Sequence, residues 1–209
     1  MKSNSRPIED CLTSDHNDIR KYYDCYNTAV EYKDKQKFFN QIGWEIARHS
    51  VAEEIVVYPV IRERVPDGNI IADDSIEDDR KAKKTLCELN SLDPNCVDFA
   101  ERFKIFMTDI FYHLDKEEKI HIPKLVMSVP LEERISLGQK FENRKIIAPT
   151  RPHPWTADKY PFLETLEAVL LAPIDKFFDL FKSFPQKETL KNITDQPMTT
   201  RTSYNMDNM

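Results

Sequence analysis

The pattern His-x-x-x-Glu-Glu-x4-Pro occurs twice in this chain and constrains its fold more than any other feature. The copies span residues 49–59 and 113–123, so they begin 64 residues apart. Because an α-helix has about 3.6 residues per turn, a His and a Glu four positions apart lie on one face. Two such helices can bring two imidazoles and two carboxylates together, which is the inventory of a transition-metal site and of an iron site in particular. The alternative is two surface helices that each happen to carry a His and a Glu.

The composition is typical of a soluble helical protein of one domain, or of one domain with a tail. Apolar residues make up 40% of the 209 residues and charged residues 32%, with only 3 glycines against 13 prolines. So few glycines argue against a turn-rich β protein. The prolines cluster from Pro123 onward, so the first ~120 residues can form long uninterrupted helices. The net charge of −6 argues against nucleic acid as a partner.

The cysteines and the absence of long apolar runs predict a cytoplasmic protein. Cys11, Cys25, Cys87 and Cys96 show neither C-x-x-C spacing nor a dense framework, which predicts free thiols in a reducing compartment. The first residues contain no apolar stretch of signal-peptide length, and no window approaches 18 apolar residues. We therefore expect no transmembrane segment.

Apolar residues at helical spacing predict four long helices. They span residues 8–28, 35–62, about 75–92 with Ser75 as the N-cap, and 97–126. Pro59 and Pro123 should bend or loosen the last turn of the second and fourth helices. The loops are short, which favours an all-α fold, an up-down-up-down antiparallel four-helix bundle with additional C-terminal helices.

Each apolar stripe is interrupted near mid-helix by polar residues, and four interruptions at one level predict a site. The interrupting residues are His16, His49 with Glu53, Asp79, and His113 with Glu117. Positions 16 and 79 are 63 residues apart, close to the spacing of the two motifs. Residues 1–63 and 64–127 are therefore interpreted as two helical hairpins of the same design. Glu54 and Glu118 point about 100° away from the neighbouring glutamates, which suits a supporting or solvated role.

The remainder of the chain has a different character. We expect residues 1–127 to form the metal-binding bundle and residues 128–186 a helical extension, with a short helix at 131–140, a proline-rich connector at 148–155 and an apolar helix at 162–184. The polar residues 187–209 predict a disordered tail.

The type of donor indicates the metal. Unpaired buried carboxylates cost several kcal/mol, so metal ligation explains them better than a buried His–Glu salt-bridge network. Nitrogen and oxygen donors without thiolate suit non-haem iron first, with manganese or zinc as competitors. Two carboxylates between two histidine groups favour a centre of two ions. Ferritin-like di-iron sites use Glu-x-x-His, so their order and spacing match this sequence less well.

These residues resemble the hemerythrin-like HHE cation-binding domain. The resemblance rests on His16 and on the two His-x-x-x-Glu pairs, and it covers about residues 8–126, with a weaker likeness to fungal members further on. It implies a di-iron centre with a bridging oxo or hydroxo group and a role in oxygen binding, iron handling or oxygen sensing. His16 and His49 are then expected on one iron, with His113 and Asp79 on the other. Glu53 and Glu117 are expected to bridge the two.

Asp79 departs from the family pattern, which usually has a histidine there. Aspartate is a competent iron ligand, but it is shorter, harder and anionic, so it should favour the ferric state. The alternative is that Asp79 faces water and that the site has lost a ligand.

Three functions are compatible with the sequence. The first is a protein that binds metal ions and dioxygen, or a related small molecule, at a di-iron site. The second is an enzyme that uses the same irons on oxygen, peroxide or nitric oxide, although no dedicated acid, base or substrate pocket is evident. The third is a metal-free interaction module that docks an unknown protein partner through the helix at 162–184.

Overall fold

A computed structural model describes residues 6–147 and 183–195, and every regular element in those two stretches is helical. Two short segments are π-helical, here called π1 and π2, and the others are α-helices. They are α1 (Ile8–Thr28), α2 (Tyr32–Ala52), π1 (Glu53–Val57), α3 (Tyr58–Arg64), α4 (Gly68–Ser91), α5 (Val97–Lys116), π2 (Glu117–His121), α6 (Ile122–Ser128), α7 (Leu131–Ile147) and α8 (Lys187–Thr194).

Four long helical rods form the predicted bundle. Helices α2 and α3 continue each other through π1, and α5 and α6 do the same through π2. The connections between rods are residues 29–31, 65–67 and 92–96, which are too short for anything but antiparallel neighbours. The predicted all-α, up-down-up-down fold is therefore confirmed.

The two π-helical segments lie directly before the prolines that the sequence flagged. The backbone N–H of Tyr58 donates to the carbonyl of Glu53, and that of Ile122 donates to the carbonyl of Glu117, each across five residues. One residue separates each π segment from its proline, so Pro59 and Pro123 lie within the first turns of α3 and α6. The loosening predicted at the prolines is therefore a π-helical turn, which begins at Glu53 in one rod and at Glu117 in the other.

Helix α4 begins at Gly68 and not at Ser75, so the predicted N-cap is wrong. Ser75 is buried inside the helix. The chain turns at Asp67, which adopts a left-handed φ of 58°. A Cβ on Gly68 would lie 1.9 Å from the carbonyl oxygen of Ile61, so only glycine permits this close approach of α3 and α4.

The apolar side chains form two separate cores. The aromatic core is Ile19, Tyr22, Tyr23, Tyr26, Phe39, Ile42, Ile46, Leu86, Leu89, Phe99, Phe103, Phe106, Met107, Ile110 and Leu114. The aliphatic core is Ile8, Cys11, Leu12, Ala52, Val56, Val57, Tyr58, Ile61, Val65, Ile71, Ala72, Leu125, Val129, Leu137 and Phe141. Each long rod contributes to both, and its polar interruption falls between them. The bundle therefore contains a polar layer at mid-height.

The C-terminal part differs from its prediction in two places. Helix α7 continues to Ile147, beyond the predicted end at Lys140, and packs on α1, α2 and π1. Residues 187–194 form α8, which packs on α1, so the disorder predicted from residue 187 is wrong for this stretch. The predicted connector at 148–155 and residues 162–182 of the predicted apolar helix lie outside the described residues. Residues 183–184, the end of that predicted helix, are not helical. Within residues 6–147 and 183–195, the helices lack the length and apolar character needed to cross a bilayer.

Candidate metal centre

Six ionisable side chains meet in the polar layer between the two cores. Each is at most 7% exposed to solvent. They are the six residues that the sequence predicted to share a site: His16, His49, Glu53, Asp79, His113 and Glu117. Asp79 is 3% exposed, so it does not face water. Burying this many ionisable groups costs several kcal/mol each unless opposite charges compensate them.

The ligand atoms of these residues form two groups that share one carboxylate. Within each group, one nitrogen or oxygen atom per residue lies within 4.8 Å of the others. The first group is His16, His49, Glu53 and Glu117, and the second is Glu53, Asp79 and His113. Because Glu53 belongs to both groups, its carboxylate lies between them.

The carboxylate of Glu117 also lies between two histidines. Its Oε2 is 3.4 Å from Nε2 of His16, and its Oε1 is 3.4 Å from Nε2 of His113. Oε2 of Glu53 is 3.2 Å from Nε2 of His49. A carboxylate whose two oxygens face different imidazoles can bridge two ions.

The donor atoms of the layer fit a metal ion. Nε2 of His16 and Nε2 of His49 are 3.2 Å apart, and two imidazole lone pairs repel at this distance unless a proton or metal cation lies between them. Nε2 of His113 and Oε2 of Glu117 are buried without a hydrogen-bond partner among the described residues. Ligand atoms bonded at about 2.1 Å to one transition-metal ion are roughly 3.0–3.4 Å apart, which matches these spacings.

Each of the three histidines uses its other ring nitrogen to contact a carboxylate outside the layer. An ionised carboxylate can only accept, so Nδ1 donates and Nε2 faces the layer, where it can ligate a metal ion once it has lost its proton. Of these three carboxylates, Glu118 is the one whose supporting role the sequence predicted. The pairs are His16 with Glu118 at 3.0 Å, His49 with Asp15 at 3.2 Å and His113 with Asp78 at 3.4 Å.

A cation stabilises the charge on each of these supporting carboxylates. The bonds are Arg20 to Glu118 at 2.7 Å, Lys145 to Asp15 at 2.6 Å and Lys116 to Asp78 at 2.5 Å. Burial alone would raise the pKa values of Glu118 and Asp15, but the imidazole and cation contacts lower both to about 2. The hydrogen bond from His113, together with Lys116, holds the pKa of Asp78 well below its usual range. All three carboxylates are therefore ionised acceptors at neutral pH.

The electrostatics of the layer favour positive charge. Burial would lower the pKa of His113, but the carboxylates of Glu117, Asp78 and Asp79 outweigh it and raise this pKa to about 10. Burial likewise opposes the charge on His49, and Glu53 and Asp15 raise its pKa well above the usual value. Burial raises the pKa of Asp79 to about 7 against the attraction of His113. Protons and metal ions therefore compete for the same atoms.

Tyr58 is a buried member of the site that the sequence analysis missed. Its hydroxyl donates to Oδ2 of Asp79 at 2.8 Å and lies 3.3 Å from Oε2 of Glu53. In an α-helix, a residue five positions after Glu53 would point about 140° away from it. The hydrogen bond of π1 spans five residues and brings Tyr58 back to the face of Glu53. Pro59 predicted a bent or loosened helical turn here, but it did not predict that the turn would be π-helical.

The predicted duplication extends to the supporting residues. Asp15, His16 and Arg20 on α1 have counterparts 63 residues later on α4, which are Asp78, Asp79 and Lys83. Asp15 and Asp78 each bind the histidine of the next rod. Arg20 pairs with Glu118 and Lys83 pairs with Glu54, whose positions are 64 residues apart. The two hairpins therefore contribute equivalent side chains to the polar layer, and the main exception is position 79, where an aspartate stands in place of a histidine.

His121 lies one helical turn beyond Glu117 and is not a member of either group of ligand atoms. Its Nδ1 is 3.4 Å from Oγ of Ser75, and burial lowers its pKa. A buried neutral histidine facing a hydroxyl is a packed core residue, which agrees with its position near the end of the rod.

The fold and the site together define a class of protein: a four-helix bundle with a buried cation-binding layer of histidines and carboxylates. The family model for the hemerythrin HHE cation binding domain matches residues 8–125, which is more than half of the chain. The chain therefore belongs to the hemerythrin HHE cation-binding family, as the motifs predicted.

Two relatives place the chain among known proteins. It is 33% identical over 179 residues to an uncharacterized hemerythrin-like protein of Schizosaccharomyces pombe, an alignment that covers 85% of this chain and 88% of the relative. It is 23% identical over 138 residues to a protein of Nostoc named a DNA nickase, covering 66% of this chain and 39% of that protein. No solved structure matches.

Proposed function

We propose that the polar layer holds two iron ions and that the protein binds or senses dioxygen, or handles iron. His16 and His49 would ligate one ion, and His113 and Asp79 the other. The carboxylates of Glu53 and Glu117 would bridge them. When bound, iron supplies the redox chemistry that dioxygen binding requires.

The sharing of carboxylates between the two groups of ligand atoms is the observation that carries this proposal. Glu53 belongs to both groups, and the two oxygens of Glu117 face His16 and His113. A site for one ion would need neither arrangement. The donors are nitrogen and oxygen without a thiolate, which favours iron over the competitors manganese and zinc.

The chain's own residues have distinct parts in this function. The carboxylates of Asp15, Asp78 and Glu118 orient the imidazoles and keep the proton on Nδ1. The two apolar cores exclude water from above and below the layer. Tyr58 holds the carboxylate of Asp79, whose negative charge favours the ferric state.

Iron stoichiometry is the decisive measurement. Protein purified without oxygen and reconstituted with ferrous iron should contain two irons per chain and develop optical bands of an oxygen-bridged ferric pair in air. Asp79→Ala should retain one iron. Asp73→Ala is the matched control, because Asp73 is on the same helix with its side chain 70% exposed, and it should retain two.

Two outcomes would contradict the assignment. Wild-type protein that takes up no iron and gains no stability on reconstitution would refute the metal centre. Two irons in Asp79→Ala would refute ligation by Asp79 but would leave the metal centre itself supported.

An enzyme acting on oxygen, peroxide or nitric oxide is the second candidate. The observation in its favour is a cavity that reaches His49, Asp79 and His113 from the surface. Turnover of peroxide or nitric oxide by the iron-loaded protein would distinguish it from a carrier or sensor, which should bind without turnover.

We further propose a cytoplasmic location and no role for nucleic acid. The four cysteines all lie in the described part of the chain and form no disulfide, which agrees with a reducing compartment. The net charge of −6 disfavours association with a phosphate backbone.

A further inference from the structure

A cavity of about 290 Å³ lies beside the metal centre. Its lining includes His49, Asp79 and His113, whose burial places them at its inner end. The exposed residues on its lining belong to α4 and α5, so it opens to the surface between these two helices. The centre is therefore accessible from one side of the bundle, although its ligands are buried.

Apolar side chains form a continuous part of the cavity lining, beside the hydroxyl side chains of Ser50 and Thr85. The apolar part consists of side chains of the aromatic core, including Ile46, Phe106 and Ile110, together with Ala82 of α4. The apolar part of the lining offers ordered water few of the two to four polar partners that it needs. Its chemistry fits a carbon skeleton.

The volume of the cavity exceeds the need of a diatomic gas. One small molecule such as water occupies on the order of 30 Å³ in the liquid, and a dry cavity of about 150 Å³ accepts benzene. Binding pockets for organic ligands begin at roughly 300 Å³. The cavity therefore has the size for a molecule of about ten non-hydrogen atoms.

The charges at the mouth disfavour an ionic ligand. Lys81 is the cation there, and the carboxylates of Asp78 and Asp109 oppose it. Asp78 is already bound to Lys116 and His113. The mouth thus has no surplus charge of either sign for a charged ligand, and apolar walls penalise any charge that enters.

We propose that this cavity binds a small, uncharged, largely apolar organic molecule whose inner end lies against the metal centre. Its position beside bound metal rests on the proposed function, whereas the pocket itself does not. A molecule held there would lie within reach of the ions that His49, Asp79 and His113 would help to hold. The centre would then have an organic ligand beside it, in addition to dioxygen.

Ligand-detected ¹⁹F NMR with 4-fluorotoluene tests this proposal on the full-length protein. We expect saturable binding to one site per chain, in both metal-free and metal-loaded protein. 4-Fluorobenzoate, which has a similar size and a negative charge, should bind at least tenfold more weakly. In protein loaded with Mn²⁺, the bound 4-fluorotoluene signal should broaden, because the ion is paramagnetic and close.

A variant that fills the cavity provides the specificity control. Ala82→Phe places a ring in the space and should weaken 4-fluorotoluene binding at least tenfold. Ala100→Phe is the matched change on an exposed position of α5 and should leave binding intact. If Ala82→Phe does not fold, Thr85→Phe on the same lining makes the same test.

The outcomes separate this proposal from that of the metal centre. Absence of saturable binding to the wild type, or equal binding to the wild type and Ala82→Phe, overturns the pocket, whatever the iron content. Specific binding by a protein that takes up no iron supports the pocket and refutes the proposed centre. Specific binding without Mn²⁺ broadening overturns the placement of the ligand against the ions.

Discussion

The hydroxyl of Tyr58 donates a hydrogen bond of 2.8 Å to the carboxylate of Asp79, and both groups are buried in the polar layer. Tyr58 belongs to the first hairpin and Asp79 to the second, so the counterpart of Asp79 is His16 in the first hairpin and the counterpart of Tyr58 is Ile122 in the second. Asp79, which departs from the family pattern, therefore has a phenol donor beside it, whereas the position equivalent to Tyr58 for His16 is the apolar Ile122. This pairing explains how the shorter, anionic side chain of Asp79 is held in place.

Replacing Tyr58 by Phe should destabilise the metal-free protein by about 1–3 kcal/mol, because Oδ2 of Asp79 loses a donor in a buried position. The loss should be smaller in iron-loaded protein, where a bound ion satisfies the carboxylate. Urea unfolding of both forms measures the two losses. Tyr32→Phe, which removes only an exposed hydroxyl contact to Gln36, is the control and should change stability by less than about 0.5 kcal/mol. Equal losses in the two forms would contradict the proposed contact of Asp79 with iron.

Asp15→Asn should weaken metal binding roughly tenfold, at the low end of the effect of removing an orienting carboxylate. The amide has one acceptor oxygen, so it cannot serve both His49 and Lys145 as Asp15 does. Competition with a coloured chelator gives the affinity. Asp10→Asn on the same helix is exposed and should bind metal like the wild type. An unchanged affinity in Asp15→Asn would mean that His49 is oriented by packing alone.

Metal binding at pH 7 should release between about two and three protons. Two come from imidazoles, and part of a third comes from Asp79, whose pKa is raised to about 7. The pKa of His113 is raised to about 10 and that of His49 lies well above its usual value, so both imidazoles are protonated in the metal-free protein at pH 7. Ligation requires the neutral ring, and the affinity should therefore rise as the pH increases from 7 towards 10. Calorimetry in buffers of different ionisation enthalpy counts the protons. An observed enthalpy that is the same in every buffer would show that the rings are neutral beforehand.

Helix α8 should contribute to the stability of the bundle. Leu190 and Ile193 pack against the aromatic core, and Nζ of Lys21 donates to the carbonyl of Thr194 at 2.6 Å. Changing Leu190 and Ile193 to Ala together should cost about 1–3 kcal/mol, a discounted value because both side chains are only partly buried. Thr189→Ala on the exposed face is the control. If the double variant unfolds at the same urea concentration as the wild type, α8 does not dock in solution.

Periodicity alone predicted most of the bundle, because the positions of apolar residues along a helix follow from the helical repeat. It located the four rods and the interruption in each of them, and it identified the six side chains that meet in the layer. It did not predict the start of α4, since the turn at Asp67 and Gly68 depends on the close approach of Ile61. It did not predict α8, whose short apolar face gains order only by packing on the bundle.

Residue types at local spacings are enough to predict an all-α bundle with a duplicated His-x-x-x-Glu motif and a resemblance to the hemerythrin family. Three further properties emerge only from the packed helices: which carboxylate supports which histidine, how Tyr58 reaches Asp79 through a π-helical turn, and the cavity that leads to the polar layer. The reason is physical: a contact between helices and a departure from the 3.6-residue repeat arise only when the rods pack against one another.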